Sequence, residues 1–237
     1  MILAAGRGER MRPLTDRIPK PLLKAGGKPL IVWHIENLVR AGIREIVINH
    51  AHLGSQIEEA LGDGRRFGAE IRYSAEASAL ETAGGIANAL PLLGDSPFAV
   101  VNGDIYCDYD FSHLLEAAEN PIARDDAAHL VLVDNPAHHP KGDFCLQADR
   151  IIPSSNPLQA TGCLQLTFSG IGLYSPAMFC SIQRGSKAPL APLLREQIAL
   201  GRIGGEHHRG TWVDVGTPER LAALDAYLTP PQQVDHV

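Results

Sequence analysis

A short apolar run, Ile2 to Ala5, is cut off at once by Gly6 and Gly8, and this junction constrains the fold more than any other stretch. Four apolar residues with no polar alternation suit a strand buried on both faces, the kind found inside a parallel sheet. The glycines then end the strand in a turn without Cβ atoms, where backbone N–H groups can come close to an anion. Arg7, Arg10, Arg12 and Lys20 bring positive charge to the same loop. A phosphate-bearing ligand is the expectation at the strand end, Leu3 and Ala4, with Gly6, Gly8, Arg10 and Lys20 around it. The dinucleotide fingerprint needs a third glycine, and the Walker loop needs Gly-Lys-Ser/Thr. Glu9-Arg10-Met11-Arg12-Pro13 stands where either would be.

Further along, helical and strand periods alternate. Pro29 to Gly42 reads as a helix with Ile31, Ile35, Leu38 and Val39 on one face, and Ile43 to Asn49 as a strand. Ser55 to Leu61 is a short helix and Ile71 to Ser74 a third strand. Such alternation predicts a mostly parallel mixed sheet with helices on both faces, and ligands outside the carboxyl ends of its strands. Leu80 to Leu93 is the next helix, with Thr82 as its cap and Gly84 and Gly85 offering N–H groups to the same crevice. The run Phe98-Ala-Val-Val-Asn-Gly-Asp104 delivers Asn102 and Asp104 at a strand end. A carboxylate so placed, beside a loop that gathers phosphates, is suited to Mg²⁺.

Phe111 to Glu119 reads as a helix and Asn120 to Ala128 as a polar insertion. His129 to Val133 is a strand, followed by a loop through His138, His139 and Asp143 rich in groups able to hold hydroxyls. Asp149 to Leu164 reads as irregular hairpin and loop. Gln165 to Tyr174 is a strand interrupted by Gly170, where a ligand can approach the backbone. Pro189 to Leu200 is a helix, Thr211 to Gly216 carries a strand ending in Asp214, and Pro218 to Leu228 is the last helix. One catalytic domain over residues 1–228 is expected, with 229–237 as a mobile tail.

Several classes of function are excluded on composition. Net charge is −6 and there is no basic tract, so nucleic acid is not the expected partner. No run approaches the roughly 18 apolar residues of a membrane span, which leads to a cytoplasmic expectation. Cys107, Cys145, Cys163 and Cys180 are isolated from one another, so thiols are favoured over zinc or a disulfide. The histidine pairs 138–139 and 207–208 lack zinc spacing; His138 or His139 is favoured as a sugar contact. Trp33 and Trp212 read as core residues.

The loop as a whole, Leu-Ala-Ala-Gly-x-Gly-x-Arg-Met-x-Pro-Leu-Thr followed by Pro-Lys-Pro-Leu, resembles the signature of the sugar-1-phosphate nucleotidyltransferases, and every fixed position is filled. Later segments, Leu-Val-Leu-Val-Asp-Asn-Pro with His-His and Gly-Asp-Phe, and Gly-Glu-His-x-Arg-Gly-x-Trp-Val-Asp-Val-Gly-Thr, are most similar to the branch acting on N-acetylmuramic acid α-1-phosphate in bacterial cell-wall recycling. The resemblance implies a Rossmann-like nucleotidyltransferase fold, UTP as nucleoside triphosphate and pyrophosphate release. It further implies Mg²⁺ on Asp104 and Asp214, Gly8, Glu9, Arg10 and Lys20 at the triphosphate, and Asn102 and Asp143 at the sugar, with Gly170 beside them. It also implies two or three residues ahead of Met-Ile-Leu. Ala83 stands where the family commonly has the first of three glycines. No hexapeptide array follows, so no β-helix is expected.

Chemically, both reactants are polyanions, so positioning and electrostatics should dominate catalysis and no side-chain nucleophile is needed. Lys187, Arg195 and Arg209 are the candidate partners of a lactyl carboxylate. The competing readings are mannose 1-phosphate with GTP, glucose 1-phosphate with dTTP or UTP, and a non-catalytic sensor. Oligomeric state is not legible in the sequence.

Overall fold

The computed structural model describes residues 1–119, 125–153 and 162–229. The expected tail beyond Thr229 and most of the polar insertion that starts at Asn120 lie outside them, as does the centre of the 149–164 loop.

The chain runs β1 (Ile2–Leu3), β2 (Lys24–Ala25), β3 (Lys28–Pro29), α1 (Leu30–Arg40), β4 (Glu45–His50), α2 (Gly54–Leu61), β5 (Glu70–Ala75) and α3 (Glu81–Leu93). There follow β6 (Phe98–Asn102), β7 (Ile105–Cys107), α4 (Ser112–Glu119), β8 (Ala128–Val133), β9 (Phe144–Gln147), β10 (Arg150–Ile152) and β11 (Leu164–Tyr174). The chain closes with α5 (Leu190–Ala199), β12 (Ile203–His207), β13 (Trp212–Asp214) and α6 (Pro218–Leu228). The described residues form one main sheet of nine strands in the order β5-β4-β1-β6-β11-β8-β12-β10-β9.

β1 sits inside this sheet, parallel to β4 on one side and β6 on the other, with Leu3 opposite both Asn49 and Asn102. Ile2 is fully buried as its apolar run requires, and burying a side chain of that size contributes about 2 kcal/mol. From β1 the chain builds outward through β4 to β5, then reverses to place β6 on the other flank. The reversal opens a crevice at the carboxyl ends of β1 and β6, the usual place for a ligand in such sheets.

Alternation along the strands feeds two cores. Ile46 and Ile48 of β4 join α1, α2 and α4 on one face, whereas Val47 joins α3 and α5 on the other. Helices therefore cover both faces, as expected. A third, smaller core of Met11, Leu30, Tyr106, Val215 and Leu224 lies under the glycine-rich loop and packs α6 against it.

The second half of the sheet carries more antiparallel pairing than strand-helix alternation suggests. β11 inserts antiparallel between β6 and β8, and β9 and β10 form a hairpin at the edge. The cause is visible in the chain: no helix separates β9 from β10, so the turn between them brings the second strand back beside the first. β9 also pairs with the start of β11, which brings Cys145 and Cys163 together with Cα atoms 5.7 Å apart, and they are joined as a disulfide. That corrects the expectation of four thiols. Cys107 and Cys180 are free.

Candidate functional site

The loop after β1 is folded onto its own later residues. Gly8 adopts the left-handed conformation at φ 68°, and a Cβ there would lie 3.0 Å from Thr15 and 3.2 Å from Lys20. Its carbonyl accepts from the Met11 N–H at 2.9 Å and from the Thr15 hydroxyl at 2.8 Å. Gly6 is different: a Cβ would meet nothing within 4 Å, so packing makes no demand for glycine there and that side of the loop is open.

The charges predicted to gather on this loop separate into two groups. Lys20 is buried, and its Nζ donates to Asp104 Oδ2 at 2.7 Å. Arg10 reaches the turn after β13, since a Cβ added at Gly216 would lie 3.2 Å from its guanidinium and 3.0 Å from Asp214 Oδ2. Arg7 and Arg12, in contrast, are exposed and pair with Glu9 at 3.7 Å and Asp16 at 2.7 Å. Glu9 is thus exposed and partnered by Arg7.

Asp104 and Asp214 come from distant parts of the chain to one place. β13 pairs antiparallel with β7, setting Asp214 opposite Ile105, and the Val215 N–H donates to the Asp104 carbonyl at 3.2 Å. Both carboxylates line a cavity of about 360 Å³ with Asn102, His138, His139 and Asp143. This cavity adjoins two others. One, of about 220 Å³, is lined by Leu3, Ala4, Gly6, Gly8 and Lys20 and shares Asn102 and Asp104. The other, of about 540 Å³, runs from Asn102 and Asp143 to an apolar wall of Phe144, Phe168, Leu190 and Leu194. Asn102 borders all three. Together they form one cleft that runs from the glycine-rich loop to an aromatic end.

Asp143 is held in place rather than merely exposed. Its Oδ2 accepts from the Phe168 N–H at 2.9 Å and its Oδ1 lies 3.0 Å from His139 Nε2. His138 lies 3.6 Å from Asp214. Both histidines therefore face the cleft, whereas His207 and His208 pair with Asp134 and Asp108. Cys107, Asp108 and His208 bring ligand-type atoms within 4.8 Å of one another, yet Asp108 is engaged by His208 and Thr211 and so braces the loop before β13. Trp33 packs edge-on to Tyr106, and Trp212 packs against the core as the sequence suggests while also lining the cleft and donating to the Ser169 carbonyl at 2.9 Å.

Three glycines expected at ligands also meet packing demands of their own. The Gly84 N–H donates to the Ala188 carbonyl at 3.0 Å, and a Cβ there would strike the Ser186–Ala188 segment. A Cβ at Gly85 would fall 2.7 Å from Asn49 Nδ2 and 2.8 Å from Glu76 Oε1. Gly170, at φ 83° beside a register shift in β11, lets that strand pass over Asn102. Nor is Thr82 the cap of α3: Leu80 holds the cap position, and Glu76 Oε2 accepts from its N–H at 2.9 Å. Thr82 and Glu81 line the cleft. Lys187, Arg195 and Arg209 line none of the three cavities.

Asn49 and Glu76 are the site residues that sequence reasoning missed. Asn49 Oδ1 accepts from the Ala4 N–H at 2.9 Å, its Nδ2 donates to Glu76 Oε1 at 2.6 Å, and both side chains are buried. This relay ties the glycine-rich loop to the start of α3, the two walls of the smallest cavity. The available signal was positional, a polar residue at or just past the carboxyl end of each of two strands. The same pattern marked Asn102 and Asp104.

The chain is 56% identical over 227 residues to the N-acetylmuramate alpha-1-phosphate uridylyltransferase of Neisseria meningitidis, covering 95% of this chain and 96% of that one. It is 33% identical to the protein of that name from Caulobacter vibrioides, covering 96% of each. It is 30% identical to the mannose-1-phosphate guanylyltransferase catalytic subunit beta of Danio rerio, spanning 64% of that longer protein. Among solved structures, HddC from Yersinia pseudotuberculosis in complex with GMP-PN superposes with a TM-score of 0.75 at 20% identity, over 96% of this chain and 98% of that one, a likeness of fold. The model of the family described as Nucleotidyl transferase matches residues 1–142, from the residue before β1 to the residue before Asp143. That span takes in the loop, Asn49, Lys20, Asn102 and Asp104, and the chain belongs to the nucleotidyl transferase family.

Proposed function

We propose that this chain joins UTP and N-acetylmuramic acid α-1-phosphate to give the nucleotide sugar and pyrophosphate, in the cytoplasmic recycling of bacterial cell-wall sugars. The observation that carries the reading is the joint presence, in one cleft, of the loop with Lys20 and of Asp104, Asp214 and Asp143, in a chain 56% identical to a protein of that activity. No described helix is long and apolar enough to cross a membrane.

In the proposed reaction an oxygen of the sugar phosphate attacks the α-phosphorus in line. The bond from that phosphorus to the α–β bridging oxygen breaks, and pyrophosphate leaves with the electron pair. No proton has to move, so the residues act by binding and orientation. The N–H groups around Gly6 and Gly8 and the buried Lys20 hold the α-phosphate region, while Arg10 offers a planar fork to the departing β and γ oxygens. Asn102 and Asp143 orient the sugar, and His139 fixes the carboxylate of Asp143 by hydrogen bonding.

Asp104 and Asp214 offer carboxylate oxygens, which suits a hard cation such as Mg²⁺, and the His138 imidazole stands beside them, 3.6 Å from Asp214. When bound there, Mg²⁺ would neutralise phosphate charge and orient the triphosphate.

A pyrophosphate-release assay across UTP, dTTP, GTP and ATP, each with several sugar 1-phosphates, tests the reading. Turnover should be highest with UTP and N-acetylmuramic acid 1-phosphate. A preference for GTP with mannose 1-phosphate would overturn the substrate assignment, and nucleotide binding without turnover would overturn catalysis.

A further inference from the structure

Both carboxylates assigned to the divalent ion already hold a cation. Lys20 lies 2.7 Å from Asp104, and Arg220 Nη1 lies 2.6 Å from Asp214 Oδ2 and 3.3 Å from the Asp214 carbonyl. Arg220 stands in the first turn of α6, where its own N–H donates to the capping Thr217 hydroxyl at 3.4 Å, so backbone and side chain are anchored together. Its guanidinium and that of Arg10 meet at Gly216: a Cβ added there would lie 3.1 Å from Arg220, 3.2 Å from Arg10 and 3.0 Å from Asp214. Two formal negative charges thus face two fixed cations, with Arg10 adjacent. Side-chain exposures of 26% for Arg220 and 23% for Asp214 leave the pair only partly screened by water.

A divalent ion arriving alone meets carboxylates whose charge is already balanced. A triphosphate changes the balance, because its oxygens are alternative partners for Lys20, Arg10 and Arg220. Resting on the metal assignment above, we propose that Arg220 is a positioning residue that fixes the Asp214 carboxylate and keeps its affinity for a free divalent ion low, so that the ion binds well only with the nucleotide. The coupling is reciprocal: whatever factor the triphosphate adds to the ion's affinity, the ion adds to the triphosphate's.

Titration of the nucleotide-free full chain with Mn²⁺ alone, followed by the electron paramagnetic resonance of the unbound ion, tests this without turnover. Arg220→Gln should bind Mn²⁺ roughly tenfold more tightly than the parent chain, the size expected for removing one cation in direct contact with the ligand. The gain should vanish in Arg220→Gln combined with Asp214→Asn, and Arg220→Lys, which keeps the charge, should stay within about threefold of the parent. An unchanged or weaker Mn²⁺ affinity in folded Arg220→Gln would overturn the proposal. If Arg220→Gln tightens binding and the added Asp214→Asn does not reverse it, the metal assignment itself fails, and the role of Arg220 toward Asp214 with it. Should Arg220→Gln not fold, Arg220→Met keeps the packing of the aliphatic stem without charge and carries the same two outcomes.

Discussion

Lys20 and Asp104, 84 positions apart in the chain, meet as a 2.7 Å ion pair with the lysine buried and the carboxylate at the mouth of the cleft. The contact joins the glycine-rich loop to the end of β6, and so makes one electrostatic unit of the two halves of the proposed phosphate site. Lys20→Met should lower kcat/KM on the order of 10²-fold, an increase in barrier of about 3 kcal/mol, measured by pyrophosphate release at saturating metal. A loss below threefold would remove Lys20 from the reaction.

The buried Glu76 carboxylate accepts from Asn49 and from the Leu80 N–H. Glu76→Ala leaves both donors without partners and should cost about 2 kcal/mol of stability by denaturant unfolding, with a raised KM for nucleotide as the loop and α3 lose their link. Glu76→Gln retains one acceptor and should recover part of both losses. Equal damage from Gln and Ala would mean that hydrogen bonding is not what the position supplies.

At the end of the cleft proposed for the sugar, Asp143 is held by the Phe168 N–H and His139. Asp143→Ala should raise the KM for the sugar phosphate tenfold or more while leaving the KM for nucleotide within about twofold, on the order of 1.4 kcal/mol of lost binding. Steady-state kinetics with each substrate varied in turn separates the two constants. Parallel increases would place Asp143 elsewhere in the mechanism.

His34 is fully buried in α1, and its Nε2 donates to the Ile105 carbonyl at 2.8 Å. Burial depresses its pKa from 6.5 to about 4, opposed by that carbonyl and by the charge of Asp104. The neutral ring is the folded form, so its contribution is complete above pH 6.5, where the unfolded chain is neutral too. It is lost as pH falls from 6.5 toward 4, because the unfolded chain then takes up a proton that the folded one refuses. The loss is on the order of 3 kcal/mol. Unfolding free energies measured from pH 7.5 to 4.5 should show a fall in this window that is smaller in His34→Gln. An identical profile in the variant would assign the fall to other groups.

Local chemistry alone accounted for much of this molecule. Apolar runs of period two or 3.6, the glycines after β1 and the prolines at helix starts depend on neighbouring residues, so β1, α1, β4 and α6 were legible before any coordinates. The acids at the ends of β6 and β13 were legible for the same reason. What only the tertiary structure decided was partnership. That Lys20 turns inward while Arg7 and Arg12 face water, that Gly84 and Gly85 make room for neighbours, and that Asn49 and Glu76 bridge loop to helix all depend on which strands lie side by side. The antiparallel insertion of β11, the Cys145–Cys163 bond and the pairing of Arg220 with Asp214 follow from the same cause. Periodicity says which face of a segment is buried, but it contains no term for what that face will meet, and packing across the sheet supplies it.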